Sequence, residues 1–544
     1  MSTSIKRNGQ ETLGFVHPKI GFIKGTTHEP EVVQFLGLQY ATLSDRFAPP
    51  VMKVYDKSAI THATELGPQI LSIPNGPQNE QRLIQHSLPD DVSKLTASDI
   101  EGLNLNITVP LAEGEHGLPH YRKLPVFCFI HGGGFVLGSA TWPQYNFARF
   151  VRLSIHNGTP CIALAFNYRL QHPGLLYCKE LRDAGYKPNN SIRDQRTALQ
   201  WVKTYISGFG GDPEQVTLAG ESAGGSSCTY HLFAEEALFK RAISMSGTSL
   251  LSRPISEATA DSMCKSAFSF CQMGDLSAEE KVKKLLDMSL SQMSSDLRIP
   301  LNLIVDAELP IASHTYEAMS SGTLNLPALK YCESIMIGDC QFDGGILGLA
   351  LQKENVGARF SDSILKGLGH DAGNKLLETY EISADLPDEV AMSKVLEVLN
   401  DIDFYVPTVA YSEYLSSKGL QTYVYRFNEP NPWEGQWKGR ASHILDISFL
   451  FQLFNDFLEI PQKDMAESFA KDILNFVSGK APWQAWENQK RVARCYGPEG
   501  QIYDVEDIAE KTGRRKALFD LAKNVDGGLD RLSEVLNGFL HNSG

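Results

Sequence analysis

The chain is 544 residues long, with 42% hydrophobic and 21% charged residues, a composition that suits a large globular enzyme with a sizeable core. Its formal net charge of -14 argues against nucleic acid or an anionic membrane surface as the main partner. No uninterrupted apolar stretch approaches the ~18 residues that would suggest a membrane span.

Met1 to Gln10 is polar and lacks an apolar run of signal-peptide length. None of the nine cysteines precedes Cys128, and no C-x-x-C occurs, which removes zinc-ribbon and thioredoxin-like readings. The expected compartment is reducing and cytoplasmic. In it the N-x-S/T triplets headed by Asn106, Asn157 and Asn189 go unused; Cys264 and Cys271 could pair, which the sequence does not decide. No repeat, low-complexity run or linker interrupts the chain, so it reads as one unit.

Taken in order, Gly21–Gly25 and Val33–Ala41 suggest a small antiparallel start. Residues 64–99 are polar, bear Pro and Gly, and show no periodic face to bury; they read as a surface flap. Leu124–Ile130 predicts a buried strand that runs into His131-Gly132-Gly133-Gly134. A helix is expected over Trp142–Ile155, a strand over Pro160–Phe166 and a helix over Asn190–Ser207. Gln215–Ala219 is a short β-branched strand, followed by Gly220-Glu221-Ser222-Ala223-Gly224 and a helix over Gly225–Ala237. Further strands are expected at Arg241–Met245, Glu333–Ile337 and Gln421–Phe427. Ser256–Ser294 reads as polar helix, Ile444–Phe457 and Met465–Phe476 as apolar helices, and Arg514–Leu540 as a polar helical tail. Apolar runs alternating with amphipathic ones favour an α/β fold.

Strand, G-x-S-x-G and helix describe a nucleophile elbow, which exposes Ser222 above a sheet. A serine hydroxyl needs a base, the base needs an acid, and the tetrahedral intermediate needs N–H donors. The three glycines after His131 suit an oxyanion loop; a dinucleotide loop would need glycine at position 137, which is leucine. Among the later histidines, His541 stands near the C-terminus and His370 in a Gly-rich turn, whereas His443 precedes an apolar helix that can hold it. Two acids follow the Ser334–Ile337 run, Asp339 and Asp343, and either can reach His443. No cofactor or metal is called for.

These motifs resemble the type-B carboxylesterase family, which includes cholinesterases and some fungal lipases. The resemblance runs from Gly21 to about Trp486 and rests on Phe35–Ala41, His131–Gly138, Asn167-Tyr168-Arg169, Asp194-Gln195, and Phe209–Pro213 leading to Gly220–Gly225. It implies an α/β-hydrolase over 1–544: a central, mostly parallel twisted sheet flanked by helices, with an antiparallel N-terminal portion and helical insertions at about 256–330 and 353–415. It implies Ser222 as nucleophile, His443 as base and oxyanion donors at Gly133, Gly134 and Ala223. The family's acid directly precedes a glycine, which selects Asp343 before Gly344, with aspartate where glutamate is usual. Gly102 stands where secreted members carry a flap cysteine, again pointing to an intracellular protein, and the flap lacks the tryptophan that cholinesterases place on a quaternary ammonium. The expected activity is cofactor-free cleavage of a small-molecule carboxylic ester. A lipase, thioesterase or acyltransferase would use the same machinery, and a non-catalytic binding protein on this fold is the rival from another class.

Overall fold

In the computed structural model, which describes residues 3–7, 10–73, 75–89, 95–111, 123–306 and 314–541, the strands in chain order begin with β1 (Thr3–Arg7), β2 (Gln10–His17), β3 (Gly21–Thr27), β4 (Val32–Gln39), β5 (Ala41–Thr42), β6 (Val51–Met52), β7 (Thr61–His62) and β8 (Asn104–Pro110). They continue with β9 (Leu124–Ile130), β10 (Ile162–Phe166), β11 (Gly211–Glu221), β12 (Arg241–Met245), β13 (Ser334–Cys340), β14 (Gln421–Phe427), β15 (Val492–Tyr496) and β16 (Ile502–Glu506). Among the described residues one sheet runs β1-β2-β3-β4-β8-β10-β9-β11-β12-β13-β14-β15-β16, with β7 paired to β3. From β10 to β15 every pairing is parallel; along the same path the pairings beyond both ends are antiparallel, while β7 joins β3 in parallel.

The central strands are apolar on both faces because helices cover both. In β9, Val126, Cys128 and Ile130 point into one core and Phe127 and Phe129 into the other. The first core is closed by helix Asn190–Tyr205 and by the helices between residues 356 and 417; the second by helices Ala148–His156, Leu445–Leu450 and Ile460–Val477.

Several expectations need correction. The flap contains a helix, Gly76–Ile84, with Glu80, Gln81 and Ile84 buried. Two of its five buried residues, Glu80 and Gln81, are polar, and Gln144 pairs with both, donating to Glu80 Oε1 at 2.8 Å and accepting from Gln81 Nε2 at 3.1 Å. Ile84 and Leu83 pack on the second core, and the buried Glu80 and Gln81 interrupt the apolar face that would have marked the helix in sequence. Residues 74 and 90–94 of the flap, and 307–313 of the first insertion, lie outside the described residues. The helix expected over Ile444–Phe457 is broken into Leu445–Leu450 and a single turn Asn455–Phe457. The tail is two helices, Ala517–Ala522 and Gly528–His541, and is less polar than expected: Leu532, Leu536 and Phe539 are buried against the first core. Cys264 and Cys271 are both free thiols.

Candidate active site

Parallel strands end on one edge of the sheet, and ligands of such sheets bind beyond that edge. Four of the loops there carry the residues singled out in the sequence: His131–Gly134 after β9, Ser222 after β11, Asp343 after β13 and His443 in the segment after β14. Ser222, Gly133, Gly134 and His443 line one cavity of about 1230 Å³.

Ser222 sits at φ 56°, ψ −120°, between β11 and helix Ala223–His231. This left-handed region is strained for serine. A β-carbon on Gly220 would lie 2.4 Å from the Gly224 carbonyl carbon, and one on Gly224 would lie 2.0 Å from Ile130 O. Only glycine at both positions lets the strand turn so sharply into the helix. The Ser222 N–H donates to Met245 O at 2.8 Å, which ties the turn to β12. The Ala223 N–H opens the helix and has no partner within it.

In the glycine loop, Gly133 has φ 97° and Gly134 φ 61°. Among the described residues no carbonyl accepts from either N–H. Val136 and Leu137 both donate to Gly133 O at 3.0 Å and close the turn behind them. His131 braces the loop: its ring stacks on Tyr168 with centroids 4.4 Å apart, and burial holds it neutral by lowering its pKa to about 4. Asn167 Oδ1 accepts from Ala140 N and Ser139 Oγ, each at 2.8 Å, fixing the loop's far end. Arg169 forms a bidentate buried pair with Asp194 at 2.7 and 2.8 Å. Asn167 and Tyr168, whose OH donates to His131 O at 2.9 Å, thus brace the glycine loop.

The two candidate acids separate cleanly. Asp343 Oδ1 lies 2.7 Å from His443 Nδ1, and its Oδ2 accepts from Cys340 N at 2.8 Å. Asp339 turns away into a buried charge network, with Arg426 Nη1 at 2.8 Å from Oδ2 and Arg514 Nε at 3.0 Å from Oδ1. Gly344 follows the acid because a β-carbon there would lie 2.4 Å from Leu396 O, and its N–H donates to Asn400 Oδ1 at 2.9 Å. Phe342 N donates to Ala441 O at 2.8 Å, joining the acid loop to the histidine loop. Ile444, held at φ 68°, turns the chain immediately after His443. His370 is exposed at the start of helix His370–Thr379.

The imidazole is buried among acids of which the sequence analysis singled out only Asp343. Burial opposes its charge, while Glu221, Asp343 and Asp446 favour it, and the balance lifts its pKa to about 9. Glu221 Oε1 lies 3.2 Å from His443 Nε2. Burial pushes the Glu221 carboxyl well above the ordinary carboxylate range, and raises those of Glu80 and Asp446 to about 7. Asp446 is held by Tyr425 OH at 2.8 Å. Glu221 could have been found from its place beside the elbow serine; Glu80 lies in the flap helix, which left no apolar signal.

The family model described as the carboxylesterase family matches residues 13–496, and the chain belongs to that family. It is a carboxylic ester hydrolase with the α/β-hydrolase fold. Lipase 3 of Yarrowia lipolytica is 27% identical over 486 residues, covering 85% of this chain and 87% of that protein. An inactive carboxylesterase-like protein of Byssochlamys spectabilis, VdtD, is 32% identical over 40% of this chain and 36% of its own. A Geobacillus stearothermophilus carboxylesterase structure superposes with a TM-score of 0.69 at 24% identity, covering 91% of this chain and 98% of that one.

Proposed function

We propose that the chain cleaves carboxylic esters through an acyl-enzyme formed on Ser222. His443 takes the serine proton and passes it to the departing alcohol, then activates water to release the acid. Asp343 orients the imidazole through Nδ1 and stabilises its charged form. The N–H groups of Gly133, Gly134 and Ala223 receive the oxyanion. The observation that carries this reading is the Asp343–His443 pair at 2.7 Å on the wall of the cavity that Ser222 and the glycine loop also line.

Leu137, Leu347, Met392, Leu396, Phe404 and Trp437 line the cavity, so an ester with a large apolar substituent fits it better than a short or charged one. Activity on p-nitrophenyl esters of rising acyl length should peak at medium or long chains; a preference for acetate would contradict this. A lipase reading draws support from two exposed apolar residues of the lining, Ile73 and Leu349, 37% and 78% exposed. Emulsified long-chain triglyceride separates the two readings. We read the enzyme as cytoplasmic; the nine free cysteines support this, and an unchanged melting temperature on adding dithiothreitol is the check.

A further inference from the structure

One part of the active-site cavity wall is a π-helical turn, Asp401–Tyr405, inserted between helices Asp388–Asn400 and Val406–Ser417. Such turns are rare and recur at functional sites, because the extra residue re-aims side chains. Here Asp403 and Phe404 both line the cavity. The Phe404 ring centroid lies 5.4 Å from that of His443, so this turn borders the catalytic histidine.

Asp403 is 2% exposed. Its Oδ1 accepts from Asn537 Nδ2 at 3.1 Å, and Asn537, on the C-terminal helix, is itself part of the lining. Its Oδ2 has no hydrogen-bond partner among the described residues. The contrast with Asp401 in the same turn is plain: Tyr380 OH donates to Asp401 Oδ2 at 2.6 Å. A buried acceptor left unpaired is destabilising, and at a cavity wall a ligand can complete it. Met392 and Leu396 on the preceding helix and Leu540 beyond Asn537 also line the cavity and supply apolar surface.

We propose that Asp403 is a specificity-determining residue that recognises a hydroxyl group on the acyl or alcohol part of the ester, while the apolar lining takes its hydrocarbon. The proposal rests on the ester-cleaving reading of this cavity. A cation is disfavoured because the Arg253 guanidinium already acts on Asp403, and an anion would oppose the carboxylate. A hydroxyl both donates and accepts, so it pairs with Oδ2 whether the carboxyl is ionised or protonated. Burial pushes that carboxyl up to about 7, so both forms are present near neutrality.

The test compares kcat/KM for matched p-nitrophenyl esters, plain alkanoates against their ω-hydroxy counterparts, from hexanoate to dodecanoate. The wild type should prefer the hydroxy ester by roughly tenfold at one or more lengths, the scale of one hydrogen bond. Asp403→Leu should bring that ratio to about one, and Asp403→Asn, whose amide still donates and accepts, should keep part of it. Equal kcat/KM for every wild-type pair, or a full preference retained in Asp403→Leu, would overturn the assignment. Should the leucine variant not fold, the wild-type series and Asp403→Asn carry the decision. Failure to turn over any ester would strike the catalytic reading instead; calorimetric binding of decanediol against decanol then tests Asp403 alone, with tighter diol binding expected and equal affinity overturning the proposal.

Discussion

His443 Nδ1 lies 2.7 Å from Asp343 Oδ1, whereas Asp339, on the strand just before, is committed to Arg426 and Arg514. The two aspartates should therefore fail in different ways. Asp343→Asn leaves the fold standing but no longer holds the imidazole or stabilises its charge, so kcat should fall by roughly 10⁴-fold. Asp339→Asn weakens a buried charge network and should lower stability, by up to about 3–5 kcal/mol if the pairing is lost outright. Thermal melts and kcat with one activated ester distinguish the two; a stable but inactive Asp339→Asn would reverse the roles.

Gly133→Ala places a β-carbon 2.2 Å from Leu137 O at a residue with φ 97°. The loop must shift, and the N–H groups with it, so kcat should drop on the order of 10²-fold or more. An unchanged kcat with a raised KM would make the loop a binding wall.

The pH dependence follows from the acids around His443. In the proposed reaction His443 acts as base only when neutral, and its pKa is lifted to about 9, so kcat/KM should rise with pH beyond the ordinary histidine range. Glu221→Gln removes one of the charges that favour the imidazolium and should move that limb to lower pH. For stability, His443, Glu80 and Asp446 all hold a proton more tightly folded than unfolded. Their contribution is full below the unfolded pKa of each and is lost as pH rises through the folded values, about 7 for the two acids and about 9 for the histidine. Melting temperatures across that range should fall with rising pH; a steady rise would contradict the burial described for these groups.

Much of this site was legible because parallel strands buried on both faces read as apolar runs. The expected bounds of Leu124–Ile130, Arg241–Met245 and Gln421–Phe427 match the structure. The loops at their ends then carried the glycines, the serine and the histidine. The choice of Asp343 over Asp339 was not legible from the residues alone, since Asp339 is claimed by Arg426 and Arg514, far along the chain. The flap helix was missed because its buried Glu80 and Gln81 are paired by hydrogen bonds with Gln144. Strands β15 and β16 were passed over: they stand at the sheet edge, and much of β16 is exposed, so its apolar signal is weak. In the tail the spacing of Leu532, Leu536 and Phe539 was present, and the surrounding charge obscured it.

The central claim is that Ser222 is the nucleophile, and covalent labelling tests it most directly. A fluorophosphonate should abolish esterase activity at one equivalent, and peptide mass spectrometry should place the adduct on Ser222. Ser222→Ala should take up no label, keep its fold, and lose roughly 10⁴–10⁶-fold in kcat. An adduct on another serine, or an active Ser222→Ala, would contradict the account.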